Sequence, residues 1–392
     1  MKPMPAIPMP LTLGDLRRAC NMSDGARERL EDALADYHDA TAAFGVSSGR
    51  TALWLALRAL HGVRPDRDVV IVPSYTCPTV GRAVVEAGLR GRCADVSLQT
   101  LTLDPNRVGE VIDDRVLAVV APHMFGLPCD VTSLGAICAE HGAFLVEDCA
   151  QCVGGRWAGE CVGTVGDVAF LSMGRSKNVR GYEGGVLWTK RNDLVDALAE
   201  QFGQLPEAQS GASDRMRQAA ITVASKPYVW AAARNLPGLG VGEEDQAFDP
   251  RPSKLADWQA GLGLISLERL EAYNGRRREL AHALREALAG VSTLELQAVP
   301  DEAESTSLRF AARAVDGEQA RDALVRRLQS RNIDARAFYT RTMNEYPWWE
   351  GEADRAQVQV ATQVVQTNVI LPIPAGASIQ SMEALAAEVA RP

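Results

Sequence analysis

The sequence predicts an α/β fold, with a mostly parallel central sheet in a large domain followed by a smaller C-terminal α/β domain. Between about Phe44 and Lys190, short apolar runs alternate with helical patterns. Continuous apolar strands separated by helices are typical of a parallel sheet that is covered on both faces. The 392 residues suffice for two such domains. We place their boundary near residue 250, giving segments 1–250 and 251–392.

Each element is predicted from its own local pattern. The predicted strands are Val69–Pro73, Arg92–Val96, Val116–Pro122, Ala143–Glu147, Val168–Met173 and Gly185–Thr189. The helices between them are Thr51–His61, Thr79–Ala87 and Thr132–His141. The Gly/Pro-rich segment Asn235–Pro252 predicts a long loop. The remaining predictions are one long amphipathic helix over Lys254–Ala289, strands at Leu308–Ala312 and Val369–Leu371, and helices at Gly317–Arg331 and Ser381–Ala390.

The composition favours a small-molecule partner over nucleic acid or membrane. The formal net charge is -9, and acidic and basic residues are interspersed, so neither a phosphate backbone nor an anionic bilayer is attracted. No run reaches the roughly 18 apolar residues of a membrane helix. The proline-bearing start, Met1–Leu13, has the pattern of neither a signal peptide nor an anchor.

The eight cysteines have no zinc-site spacing. Cys149 and Cys152 form a C-x-x-C pair, which we interpret as free thiols, with a redox pair as the alternative. We therefore expect a cytoplasmic protein without a metal site.

Two segments stand where anionic and cationic groups of a ligand would bind. Ser47-Ser48-Gly49-Arg50-Thr51 opens a helix, and free N–H groups at a helix start suit a phosphate. The alternative is a plain N-cap by Ser48. Asp148 ends an apolar strand, where its carboxylate would hold a cationic ring nitrogen or a metal, or cap the following turn.

Two further segments complete the pattern. Lys177 lies in a glycine- and serine-bearing segment after a strand, either as an exposed surface residue or as an amine nucleophile. In Glu183-Gly184-Gly185 the glycines permit a tight turn. Phosphate donors, a strand-end carboxylate, a lysine and a tight turn are together the parts that a pyridoxal 5′-phosphate pocket needs.

On these motifs the chain resembles the DegT/DnrJ/StrS-like family of sugar aminotransferases, within fold type I of the pyridoxal phosphate enzymes. The resemblance is densest from Phe44 to Thr189 and weaker through Lys254–Leu270 and Asn368–Pro374. The matching pieces are Ser48-Gly49-Arg50-Thr51-Ala52-Leu53, Val72-Pro73-Ser74-Tyr75-Thr76, His123-Met124-Phe125-Gly126-Leu127-Pro128, Glu147-Asp148-Cys149-Ala150-Gln151, Ser172 with Lys177, and Glu183-Gly184-Gly185.

The resemblance implies a role for each site residue. Lys177 would carry the cofactor as a Schiff base and shuttle a proton. Asp148 would pair with the ring nitrogen, and Gln151 would contact the ring's 3-hydroxyl region. The phosphate would be held by Ser172 and the segment Ser48, Gly49, Arg50 and Thr51.

Four departures from the family pattern bear on the site. Arg50 intervenes at the phosphate-binding helix start, where the family commonly has Gly-Thr. Cys77 occupies a position that is often aromatic, so ring stacking would fall to Tyr75 or His123, or would be weak. Tyr75, Cys77, His123 and Tyr182 are the candidates for ring stacking or substrate contact. Tyr182 stands where the family usually has glycine. Pro252-Ser253-Lys254 replaces an Asn-aromatic-Arg triplet whose asparagine usually reaches the neighbouring subunit's phosphate.

The resemblance implies transamination in a homodimer with shared active sites. Glutamate or glutamine would leave its amino group as pyridoxamine phosphate, which would aminate a keto-sugar nucleotide, a cyclitol or a related polar ketone. One alternative is the family's dehydratase branch, in which histidine replaces the lysine. Another is a non-catalytic regulatory protein that binds the cofactor. A nicotinamide dehydrogenase is disfavoured because no G-x-G-x-x-G follows the first strand.

Overall fold

The computed structural model describes residues 2–6, 10–22, 24–208, 211–233, 252–349, 351–352 and 358–391. The loop predicted over Asn235–Pro252 lies outside the described residues except at its last position. Up to residue 233 the elements are α1 (Leu13–Asn21), α2 (Ala26–His38), β1 (Ala42–Val46), α3 (Gly49–Val63), β2 (Val69–Pro73), α4 (Pro78–Glu86), β3 (Arg90–Ala94), α5 (Pro105–Val111), β4 (Val116–Pro122), α6 (Val131–His141), β5 (Phe144–Asp148), β6 (Arg156–Trp157), β7 (Glu160–Cys161), β8 (Val168–Ser172), β9 (Gly185–Thr189), α7 (Asn192–Gly203), α8 (Ala212–Ala224) and α9 (Pro227–Ala233).

After residue 252 the elements are α10 (Asp257–Glu268), α11 (Leu270–Leu288), β10 (Leu294–Leu296), β11 (Ala303–Glu304), β12 (Phe310–Ala314), α12 (Glu318–Ser330), β13 (Gly351–Glu352), α13 (Gln359–Thr367), β14 (Asn368–Leu371) and α14 (Ile379–Val389). Every strand and helix predicted between residues 44 and 190 is present, with bounds within two residues. Strand β1 and helices α1, α2 and α5 were not predicted.

The prediction of one continuous helix over Lys254–Ala289 is wrong. Helix α10 ends at Glu268, and Arg269 is the cap residue between it and α11, which begins at Leu270. Arg269 forms an ion pair with Asp15 on α1 (2.6 Å). The break consumes a single residue, so the apolar periodicity continues across it and the pattern does not reveal it.

The large sheet has the strand order β1-β9-β8-β5-β4-β2-β3-β13. Neighbours from β13 to β8 pair in parallel, whereas β8, β9 and β1 pair antiparallel. Along β2 the side chains alternate between two cores, with Val70 and Val72 in one and Val69 and Ile71 in the other. Both faces are therefore buried, and the predicted α/β fold with a mostly parallel sheet is confirmed.

A separate three-stranded antiparallel sheet, ordered β10-β12-β14, packs its own apolar core against α11, α12 and α14. Two strand pairings are among the contacts that tie the later part of the chain to the earlier part. Strand β13 extends the large sheet at β3, and β11 pairs with β6. The domain boundary near residue 250 stays a prediction. No helix in the described ranges combines the length and apolar character that crossing a membrane requires.

Candidate active site

The start of helix α3 and the end of strand β8 meet without room for a side chain. A Cβ added to Gly49 would lie 2.7 Å from the Cβ of Ser172. One added to Gly185, the first residue of β9, would lie 2.6 Å from the backbone of Ser48. Two glycines thus let the Ser172 hydroxyl approach a helix N-terminus, where N–H groups lack intrahelical partners.

The Ser48 side chain is also the N-cap of α3. Its Oγ accepts a hydrogen bond from the Thr51 N–H (3.0 Å) and lies 2.9 Å from Thr51 Oγ1. Ser47 Oγ lies 3.1 Å from the same hydroxyl. The N-cap interpretation is therefore correct for Ser48, and the cap uses the Thr51 N–H. Arg50, half-buried, is the second residue of this helix.

Asp148 and Lys177 belong to one electrostatic site. Asp148 ends β5 and is buried, and its Oδ1 accepts a hydrogen bond from the Ala150 N–H (2.9 Å). Burial raises the pKa of the Asp148 carboxyl, against the opposing effects of the Ala150 N–H and of the positive charge of Lys177. A buried carboxylate of this kind gains stability from a cationic partner.

His123 and Glu147 form a buried pair behind Asp148. The Cys129 N–H donates to His123 Nδ1 (3.0 Å), so the proton lies on Nε2, which is 3.2 Å from Glu147 Oε2. Glu147 also accepts from backbone N–H groups at 2.6–2.9 Å, those of Gly163, Val165 and Gly166. Burial raises the pKa of Glu147, but the hydrogen bonds from His123 and the backbone outweigh it and leave the pKa below its ordinary value.

The one cluster of potential metal ligands in the described residues is His123, Glu147 and Cys149, whose ligand atoms lie within 4.8 Å of one another. Burial raises the pKa of the Cys149 thiol well above its ordinary value, which keeps it protonated. Both imidazole nitrogens already have hydrogen-bond partners. This chemistry suits a hydrogen-bonded core better than a ligand shell. Cys149 and Cys152 are buried free thiols, as the sequence predicted.

Gln151 is held by two residues that the sequence analysis missed. Its Oε1 accepts from Arg309 Nη1 (2.7 Å), and its Nε2 donates to the Tyr339 hydroxyl (3.3 Å). All three side chains are buried. These partners lie 158 and 188 residues further along the chain, and neither stands in a motif that signals the contact.

The candidate stacking residues differ in their surroundings. The Tyr75 ring is fully buried, and its hydroxyl donates to the Phe338 carbonyl (3.1 Å). Cys77 is the N-cap residue of α4, with its sulfur 3.0 Å from Thr79 Oγ1. The ring-stacking role of Tyr75, Cys77 or His123 stays a prediction.

Tyr182 adopts a left-handed backbone (φ 77°), and its ring packs 6.0 Å from that of Trp258. It is buried in the cluster formed by α1 and α10.

The segment Pro252-Ser253-Lys254 stands where the family has a triplet that reaches the neighbouring subunit, and here it makes contacts within its own chain. The Ser253 N–H donates to Ser47 Oγ (3.2 Å), and the Ser47 N–H donates to the Ser253 carbonyl (2.9 Å). Lys254 forms an ion pair with Glu207 (2.7 Å). This segment therefore lies beside the start of α3, next to the predicted phosphate site.

Curated relatives align over most of the chain. The GDP-perosamine synthase of Vibrio cholerae is 27% identical over 349 residues, covering 88% of this chain and 84% of that protein. The dTDP-4-dehydro-2,6-dideoxy-D-glucose 3-dehydratase of Saccharopolyspora spinosa is 26% identical over 362 residues, with coverages of 88% and 74%.

Solved structures share the whole fold. The crystal structure of DesV from S. venezuelae, in complex with a ketimine intermediate, superposes with a TM-score of 0.75 at 26% identity. The match covers 96% of this chain and 92% of that one. The DegT/DnrJ/EryC1/StrS aminotransferase family matches residues 20–390. The resemblance seen in the motifs is thereby confirmed, and the chain belongs to the DegT/DnrJ/EryC1/StrS family of pyridoxal phosphate-dependent aminotransferases.

Proposed function

We propose that this aminotransferase moves an amino group from glutamate or glutamine to the ketone of a sugar nucleotide, a cyclitol or a related polar acceptor, using pyridoxal phosphate bound at Lys177. The proposal rests chiefly on the shared site of Asp148 and Lys177, in which the charge of the lysine acts on the buried carboxyl. The motifs and the family membership point to the same chemistry.

The side chains fit the cofactor chemically. A phosphate needs N–H and hydroxyl donors, which the start of α3, Ser48 and Ser172 offer around a cradle that a Cβ on Gly49 would fill. A protonated ring nitrogen needs a carboxylate, and Asp148 is buried with a raised pKa. The aldehyde needs a primary amine, which Lys177 provides.

The cofactor, when bound, supplies an electron sink for charge that develops on the substrate carbon. In our proposal Asp148 keeps the ring nitrogen protonated. The Lys177 amine holds the cofactor and afterwards carries a proton to and from the substrate carbon. Ser172 and the first turn of α3 anchor the phosphate, and Gln151 orients the ring's 3-oxygen side.

We extend the proposal to a homodimer with shared active sites in the cytoplasm. The family resemblance supports the dimer. The eight free cysteines support a reducing compartment. Light scattering of the purified holoenzyme tests the dimer, and a monomeric mass would contradict it.

The deciding experiment is the absorption spectrum of the purified protein with pyridoxal phosphate, before and after adding L-glutamate or L-glutamine. We expect a visible band that gives way to a pyridoxamine-type band with one donor. Keto-sugar nucleotides and a keto-cyclitol then identify the acceptor by regenerating the visible band. A stable visible band that ignores both donors would contradict the donor assignment, and the absence of any band would overturn the proposal.

The dehydratase relative makes deoxygenation the second candidate. Lys177 argues against it, because by resemblance the dehydratase branch carries histidine at this position. Mass analysis of the product separates the two: amination retains the sugar's hydroxyls, whereas dehydration removes one as water.

A further inference from the structure

The orientation of the Gln151 amide is determined by Arg309. An amide can present either its oxygen or its nitrogen to a given neighbour, whereas a guanidinium only donates. Because Arg309 Nη1 lies 2.7 Å from Gln151 Oε1, the amide oxygen must face the arginine. The amide nitrogen then faces the other way, and one of its hydrogens reaches the Tyr339 hydroxyl at 3.3 Å.

Arg309 is itself held in place. Its backbone N–H donates to the Phe125 carbonyl (3.1 Å), and its guanidinium carbon lies 4.3 Å from the centroid of the Phe338 ring. The side chain is buried immediately before strand β12. A buried, ring-stacked guanidinium has little freedom to turn, so it imposes its geometry on the amide.

The backbone of Gln151 is also tied down. Its carbonyl accepts from Thr306 Oγ1 (3.4 Å). It also accepts from the amide nitrogen of Asn178 (2.9 Å), in the orientation that places the Asn178 oxygen 2.9 Å from Arg277 Nη2. Asn178 directly follows Lys177. Two hydrogen bonds thus hold the Gln151 carbonyl, one of them from the residue next to Lys177.

We propose that Arg309 is a positioning residue that keeps the amide nitrogen of Gln151 directed at the 3-oxygen of the bound cofactor. This inference rests on the proposed function, in which Gln151 lies beside that oxygen. An N–H donor withdraws negative charge from the 3-oxygen of the cofactor. The 3-oxygen then stabilises less well the proton on the nitrogen that joins the cofactor to Lys177. An amide oxygen in the same place would repel the phenolate and raise the pH at which the visible band titrates.

The test is a pH titration of the visible band in the holoenzyme. For Arg309→Met we expect the midpoint to rise by about one pH unit, the size of one hydrogen bond to a charged group. Arg309→Gln should give a smaller rise in the same direction, because its own amide accommodates either orientation of Gln151. Arg309→Lys keeps a donor that cannot accept, so it should retain most of the wild-type midpoint.

A double-mutant cycle separates positioning from the direct effect of the arginine's charge. Gln151→Met alone should raise the midpoint, and adding Arg309→Met should then change it little. An equal further rise in that background would overturn the inference, because the arginine would then act without the amide. The matched control is Arg321→Met, a buried arginine on α12 that bonds Glu318 and Asp322, and it should leave the midpoint unchanged.

The outcomes distinguish this inference from the proposed function. A visible band whose midpoint is the same in the wild type and in Arg309→Met would overturn the inference and leave the proposed function intact. A wild-type protein without any visible band would overturn both.

Discussion

The backbone at Gly49 approaches Ser172 so closely that a Cβ on the glycine would lie 2.7 Å from the serine Cβ and 3.2 Å from its Cα. The first residue of helix α3 therefore rests directly on the last residue of strand β8. The relationship explains why a glycine opens this helix, since any side chain would separate the Ser172 hydroxyl from the helix N-terminus.

Gly49→Ala should destabilise the protein and weaken cofactor binding together. The added methyl meets backbone and side-chain atoms of Ser172 that cannot move aside freely, at a cost of about 1–3 kcal/mol. Thermal unfolding of the cofactor-free protein and the Kd for pyridoxal phosphate measure the two effects. Gly62→Ala, in the same helix with no atom within 4 Å of the added Cβ, is the control and should stabilise slightly. Similar melting of the two variants would show that the contact does not matter.

Lys177→Ala should abolish the visible band of the bound cofactor while leaving the fold intact. Lys177 lies half-buried in a turn after β8, so removing its amine deletes a chemical group and little packing. The absorption spectrum and the circular dichroism spectrum measure both points. Lys190→Ala removes an exposed lysine paired with Asp39 and should keep the band. Turnover by Lys177→Ala at the wild-type rate would refute its role.

Asp148→Asn should bind the cofactor but lose roughly 10²–10³-fold or more in turnover, because a neutral amide no longer keeps the ring nitrogen protonated. The acceptor capacity for the Ala150 N–H is retained, so the fold should survive. Single-turnover kinetics with the identified donor measure the loss. Asp130→Asn, at the N-cap of α6, preserves a good cap and should leave the rate unchanged. A near-normal rate in Asp148→Asn would show that Asp148 is not the residue that keeps the ring nitrogen protonated.

Glu31→Gln should stabilise the protein at alkaline pH and not at acid pH. Burial raises the pKa of Glu31 to about 7, against the opposing hydrogen bond from the Gly45 N–H and the charge of Arg27. Since the ordinary pKa of a glutamate is 4.5, the folded state binds more protons than the unfolded state between pH 4.5 and about 7. Stability therefore falls as the pH rises through this window, and the cost is complete above about pH 7.

The glutamine removes that cost and keeps an acceptor for the Gly45 N–H, which lies 2.6 Å from the Glu31 carboxyl. We expect a gain on the order of 2 kcal/mol at pH 8 and none below pH 4.5. Urea unfolding at both pH values measures it. Glu160→Gln, at an exposed position in β7, should change stability by less than about 0.5 kcal/mol at either pH. Equal gains for Glu31→Gln at both pH values would show that ionisation is not the cause.

The strands of the parallel sheet could be predicted closely because each is a local apolar run. The predicted bounds of β2, β4 and β9 match the structure, since a strand buried on both faces needs continuous apolar residues. Strand β1 was missed because its Ala-Ala-Phe-Gly-Val sequence is short and carries small residues. It is a strand because it pairs with β9 along its whole length.

The hydrogen bond between Gln151 and Arg309, like the pairing of β1, could not be predicted from local sequence. Gln151 follows strand β5 of the large sheet, whereas Arg309 directly precedes strand β12 of the three-stranded sheet. A lone arginine before a strand has no local feature that distinguishes it from a surface residue. The ion pair of Arg269 with Asp15 could not be predicted from local sequence either. It accompanies a helix break that the apolar periodicity does not reveal.

By itself, the sequence determined the α/β fold class, the family and the identities of Lys177, Asp148 and Ser172 as candidate site residues, because these depend on periodicity and on motifs read within a few residues. The tertiary structure alone decided which way the Gln151 amide faces and which carboxylate pairs with Arg269. Each of these depends on a partner brought close by the folding of distant segments, and hydrogen-bond geometry over about 3 Å is not encoded in local spacing.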